Sequence, residues 1–174
     1  NCDLLGQLPR ECIDLVVTSP PYDDLRTYGG HSWDFFGVAW QLKRVLKPGG
    51  VIVWVVADAT KDGSETGSSM EQALHFKRLG LSLHDTMIYA SDKPPLTHDR
   101  YEQAWEYCFV LSAGKPARWN PIMRETRNPG GKAGKFMHSA SADYMQANSA
   151  KSTGEKALAQ NIWYYATGLD RLGH

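Results

Sequence analysis

Apolar residues fall along this chain in short runs whose period changes from one run to the next. Residues 13–17, Ile-Asp-Leu-Val-Val, are rich in β-branched side chains and predict a buried strand. Pro20 and Pro21 end it, because neither donates to a sheet ladder and both fix φ. Phe36, Ala39, Trp40, Leu42, Val45 and Leu46 recur at intervals of three and four, which predicts an amphipathic helix over 33–46 with these side chains on its buried face. Lys43, Arg44 and Lys47 favour the negative end of that helix's dipole, and Pro48-Gly49-Gly50 stops it. Residues 51–56 are continuously apolar, as in a buried central strand. A Gly/Ser/Thr-rich connection over 60–69 leads to a second helix, 70–79, ended by Gly80. Strands follow at 81–90 and 105–111, and the long loop between them, 91–100, predicts a hairpin. Strands interleaved with helices place the chain in the α/β class.

The chemistry concentrates at Thr18-Ser19-Pro20-Pro21-Tyr22, just beyond the first strand. In open α/β sheets, ligands bind at the carboxyl ends of the strands. An exocyclic amino group on a nucleobase is a poor nucleophile, since its lone pair is delocalised into the ring. Acceptors aimed at its hydrogens free that pair toward a methyl donor. Ser19 offers a hydroxyl and Pro20 a carbonyl on a stiff backbone with no competing N–H. Tyr22 offers a flat face to an unstacked base, an interaction worth about 1–3 kcal/mol. Taken without its surroundings, the same string also fits a plain turn or a polyproline ligand.

The 174 residues suit one domain of ordinary size. Lys plus Arg equals Asp plus Glu at 19 each, so net charge exerts no overall pull toward nucleic acid. No run approaches the roughly 18 apolar residues of a membrane span, and no signal peptide is visible, so neither a membrane nor secretion is expected. Cys2, Cys12 and Cys108 lack metal-ligand spacing. They read as reduced thiols of a cytoplasmic protein, and no metal is expected.

Residues 14–22, DLVVTSPPY, strongly resemble the catalytic motif of the DNA amino-methyltransferases, which methylate cytosine-N4 or adenine-N6 from S-adenosylmethionine. Further stretches share the likeness. Residues 1–9 resemble the family's "GDCLELLKQLP", although Asn1 replaces its Gly. The helix–turn–strand unit 44–55, RVLKPGGVIVWV, is similar to that of many methyltransferases. Residues 100–116 resemble "R..HE.ILVFSKGK.P", with Trp105 where many members have His. Residues 161–165, NIWYY, resemble "R.NIW.Y..G". The resemblance implies a Rossmann-like methyltransferase fold. It assigns catalysis to Ser19, Pro20, Pro21 and Tyr22, and cofactor contact to Asp3 and Thr18. Helix capping is an equal reading of Asp3. Asp58, just past the second strand, either approaches the site or serves a cap or turn.

Lys93, His98 and Arg100, on the hairpin loop, are placed near the target base by the resemblance; solvated charges are the alternative. Between residues 115 and 156 eight basic residues face three acidic ones, among many Gly, Ser, Asn and Ala. Such a segment, with Lys132 and Lys135, fits phosphate neutralisation and target recognition, or a plain solvated loop. Residues 128–135 fail the phosphate-loop pattern, which rejects nucleoside triphosphate binding. Three parts are expected: a catalytic part at 1–114, a basic target-recognition segment at 115–160, and a return at 161–174 toward a cofactor-binding half. No Gly-rich cofactor loop occurs anywhere in the sequence, so the fold is expected to be incomplete.

The resemblance implies methyl transfer from S-adenosylmethionine to a base flipped from double-stranded DNA, cytosine-N4 ahead of adenine-N6. A missing segment or a second chain is expected to carry the cofactor loop, and this chain alone to bind cofactor weakly or not at all. The alternative of another class is a non-catalytic DNA-binding half, since a fold does not fix a function.

Overall fold

The computed structural model describes residues 2–21, 33–91, 101, 103–125 and 155–165, with Cys2 and Asp3 placed by their backbone. Contacts divide the chain into one unit, Asn1–Trp119 with Asn161–His174, and a second, Asn120–Gln160.

In the first unit a five-residue helix α1 (Cys2–Gly6) precedes strand β1 (Ile13–Thr18). Helix α2 (Phe35–Val45) begins where Asp34 accepts the Gly37 amide at 3.0 Å, a cap that satisfies one of its free amides. It runs without a loop into β2 (Leu46–Val56). The predicted stop is therefore part of a strand. Between the pairs Ile13↔Leu46 and Leu15↔Val51, one residue of β1 faces four of β2, so the strand bulges at Lys47-Pro48-Gly49-Gly50. The connection after β2 contains an unpredicted hairpin, β3 (Thr60–Lys61) and β4 (Ser64–Glu65). Its turn is Asp62-Gly63, both at positive φ, a pair that matches the twist of short hairpins. Helix α3 (Ser68–Arg78), β5 (Ser82–Ser91) and β6 (Trp105–Ser112) follow, close to their predicted bounds. The hairpin β5–β6 forms as expected.

The second unit holds a two-stranded antiparallel ribbon, β7 (Met123–Glu125) with β8 (Lys156–Leu158). Back in the first unit, β9 (Ile162–Tyr165) pairs with β5, a strand absent from the sequence reading. The sheet order is β1-β2-β6-β5-β9. β1, β2, β5 and β9 share one direction, and β6 opposes them.

The core lies on one face of this sheet. Ile52, Trp54, Val56, Phe109 and Leu111 pack against Val38, Ala39 and Leu42 of α2 and Ala73 and Phe76 of α3. Trp54 is fully buried, and its indole N–H donates to the Gln72 carbonyl at 2.8 Å. On the other face the described side chains are half-buried along β2 and β6 and exposed along β1. Leu15 and Val17 are 59% and 65% exposed, which corrects the expectation that β1 is buried. The physical reason is that β1 is an edge strand whose alternate side chains leave the helical layer. Phe36 and Trp40 also depart from expectation, at 65% and 50% exposure. The buried stripe of α2 runs through Val38, Ala39, Leu42 and Val45, one residue around from the predicted one at its amino end. No helix among the described residues is long and apolar enough to cross a membrane.

Candidate active site

Because four strands share one direction, their carboxyl ends meet at one edge, at Thr18, Val56, Ser91 and Tyr165, with the start of β6 at Trp105. The Thr18-Ser19-Pro20-Pro21 motif leaves the sheet there. Thr18 pairs in register with Trp54 and is half-buried. Ser19 is exposed, Pro20 is buried and Pro21 half-buried. This alternation sets the Ser19 side chain at the surface while the following proline anchors the turn in the protein. Tyr22, Lys93, Arg100, Lys132 and Lys135 lie outside the described residues. Asp3 lies on α1.

Around this edge the structure settles the role left open for Asp58 and gathers a row of aromatic side chains that the sequence reading passed over. Beyond the end of β2, the Asp58 carboxylate accepts the Ser69 amide at 2.8 Å, the Ser69 hydroxyl at 2.7 Å and the Ser68 hydroxyl at 3.2 Å. Asp58 thus takes the capping role and holds the β2–α3 connection to the start of α3. Tyr107, paired with Val56, stacks on Phe109 at 5.0 Å and meets Trp105 edge-on at 4.6 Å. Burial, then the Asp58 and Glu65 carboxylates, hold its phenol above the usual tyrosine value. The alternation of aromatic residues at 105, 107 and 109 was the available signal for this row. Trp33 stacks on Trp54 at 6.5 Å, and its buried indole N–H has no acceptor among the described residues.

The amino end of the sheet is built by Arg44. Its guanidinium donates to the Leu5 carbonyl at 2.8 Å, to the Leu8 carbonyl at 2.9 Å and to Gln41 Oε1 at 2.7 Å. Its place in the last turn of α2 predicts a contact with that helix's own dipole; the fork instead caps α1. Lys47 pairs with Asp14 at 2.7 Å on the surface. Among the described residues no group of three or more His, Cys, Asp or Glu side chains is placed to hold a metal ion.

Known proteins match the chain over the residues that build the carboxyl edge of the sheet. A family profile for DNA methylases, N6_N4_Mtase, fits residues 13–167. The chain belongs to the DNA methylase family. It is 56% identical over 117 residues to the orphan methyltransferase M.BamHII of Bacillus amyloliquefaciens, covering 67% of this chain and 44% of that protein. Among solved structures, the cytosine-N4-specific PvuII DNA methyltransferase shares the fold with a TM-score of 0.62 at 16% identity, over 97% of this chain and 55% of that one. A DNA modification methylase of Thermus thermophilus, TTHA0409, solved with S-adenosyl-L-methionine, superposes with a TM-score of 0.51 at 23% identity, over 72% of this chain and 56% of that one. The chain thus has the Rossmann-like methyltransferase fold, and it spans about half the length of the relatives it matches.

Proposed function

We propose that this chain is the catalytic portion of a DNA amino-methyltransferase that uses S-adenosylmethionine. One observation carries the reading: Ser19, exposed and followed by buried Pro20, stands at the carboxyl edge of β1 in a member of the DNA methylase family. The cofactor, when bound, supplies an electrophilic methyl group on a sulfonium. The chain's own residues then act on the acceptor. Ser19 Oγ and the Pro20 carbonyl accept the hydrogens of the target amino group and hold its lone pair toward the methyl carbon. Tyr22 stacks on the flipped base. The target nitrogen, held by Ser19 and the Pro20 carbonyl, would take the methyl group as the C–S bond is exchanged for the new N–C bond, and would shed one proton to solvent. Positioning and electrostatics carry most of the rate, because the sulfonium is already a good leaving centre.

In this reading the chain supplies one side of the cofactor site. Asp3 on α1 and Thr18 at the end of β1 are the contacts this chain offers, and no Gly-rich loop is among its 174 residues. A further segment or a second chain supplies the rest in this reading, so the 174 residues alone bind S-adenosylmethionine poorly. Lys93 and Arg100 near the target base, and Lys132 and Lys135 at the phosphates, are the contacts proposed for double-stranded DNA. The Ser-Pro-Pro-Tyr form and the likeness to M.BamHII and PvuII favour an amino-methyltransferase, with cytosine-N4 as the proposed target.

Tritium transfer from labelled S-adenosylmethionine to duplex DNA, measured on the full-length gene product and followed by nucleoside mass spectrometry, tests this. N4-methylcytosine is the expected product. Methyladenine would keep the chemistry and change the base, whereas no transfer would sink the enzymatic reading. Ser19→Ala is expected to lower kcat by about a hundredfold or more with the fold intact.

A further inference from the structure

Resting on the cofactor role proposed for Asp3, we infer that Arg44 is the positioning residue of the cofactor site, acting through α1 and touching no substrate itself. A helix of five residues does not hold its shape alone, since nucleation outweighs the few bonds it gains. Its place in the fold must come from contacts outside it. Leu5 packs against the core, and Gly6 lies beside the Gln41 side chain.

Among the described residues, the side-chain polar fastening of this segment to α2 comes from Arg44. Its two terminal nitrogens reach different carbonyls, Leu5 at 2.8 Å and Leu8 at 2.9 Å, while its Nε is steadied by Gln41 at 2.7 Å. The Arg44 backbone carbonyl in turn accepts the Glu11 amide at 3.2 Å, and the next carbonyl, of Val45, accepts Cys12 at 2.8 Å. The entire connection from α1 to β1 is therefore tied to the last turn of α2 at four points. The Leu5 carbonyl is two residues from Asp3, so the guanidinium fixes the turn on which Asp3 sits. A planar fork can hold two carbonyls at once; an ammonium cannot reproduce that geometry. Thr18 and the Ser19 motif lie at the opposite end of β1, so of the two proposed cofactor contacts only Asp3 depends on these bonds.

The test uses the full-length protein with Arg44→Ala, Arg44→Lys, Asp3→Ala and the Asp3→Ala/Arg44→Ala double variant. Calorimetry gives the Kd for S-adenosylmethionine, and steady-state transfer gives KM for DNA and kcat at saturating cofactor. Arg44→Ala is expected to weaken cofactor binding about tenfold, with KM for DNA and kcat within about twofold. Arg44→Lys should recover part of the loss. The double variant should be no weaker than the weaker single one, because both changes remove the same contact. An unchanged Kd in Arg44→Ala, additive losses in the double variant, or a parallel fall of every parameter would overturn the inference. Should Arg44→Ala not fold, the same split in Arg44→Lys decides. Wild-type protein that neither binds S-adenosylmethionine nor transfers methyl groups would overturn the functional reading itself, a result seen before any variant is made.

Discussion

Asp58 and Ser69 are joined twice, through the Ser69 amide at 2.8 Å and its hydroxyl at 2.7 Å, across eleven residues of chain. Gly67, at the helix N-cap position, has no side chain to cap α3, so Asp58 performs that task from the end of β2. Ser69 is fully buried, and without Asp58 its hydroxyl and amide would lose their acceptor away from water. Asp58→Ala is expected to cost about 2–3 kcal/mol and lower Tm by roughly 5–10 °C. Asp58→Asn should cost less, since the amide oxygen still accepts one of the two bonds. Urea unfolding of the two variants measures this, and an Asp58→Ala midpoint equal to wild type would show the pair to be incidental.

Gly49 makes a second, sharper case. It sits at φ +76°, where a β-carbon is strained, and its amide and carbonyl bond Ala113 and Ala117 on the segment after β6. An added β-carbon would lie 2.9 Å from the Ala117 methyl and 3.1 Å from the Lys115 carbonyl oxygen, so backbone would have to move. Gly49→Ala is expected to destabilise by about 2–4 kcal/mol, from strain and from overpacking together. Gly63, also at positive φ (+77°), meets nothing within 4 Å, so Gly63→Ala isolates the strain alone at about 1 kcal/mol. Thermal unfolding of both separates the two causes; equal losses would remove the packing argument.

Much of this fold is legible because period and punctuation agree. The runs at 13–17 and 51–56 read as strands, and Pro20-Pro21 marks the motif at once. What escaped depends on partners far along the chain. The exposure of Leu15 and Val17 follows from β1 being an edge strand, which residues 13–17 do not encode by themselves. Phe36 and Trp40 fit the helical period as well as Val38 does, and only the position of the sheet decides which stripe is buried. The turn at Ser19-Pro20 was legible as the end of β1. The fork of Arg44 was not, because an arginine in a last helical turn looks alike whether it serves its own dipole or another helix's carbonyls.

Cys108 carries the pH dependence that the structure makes testable. It is half-buried on the face of the sheet away from the helices, in register with Val55 on one side and Met87 on the other. Burial first, then the Glu106 carboxylate, holds its thiol above the ordinary cysteine value, with a backbone hydrogen bond at Tyr89 offsetting part of the rise. The folded state therefore keeps the proton that the unfolded chain releases first. Stability from this group is fully present below the unfolded pKa, about 8.5, and is lost as pH climbs from there through the folded value. Denaturation midpoints measured from pH 7 upward should fall in this range, and Cys108→Val should flatten the fall while leaving the neutral-pH midpoint within about 1 kcal/mol. The same thiol should react with iodoacetamide at least about fivefold more slowly in the native protein than in urea at equal pH, because the thiolate is the nucleophile. A native rate equal to the unfolded one would show that the neutral form is not favoured by the fold, and the alkaline loss of stability would then have to arise elsewhere.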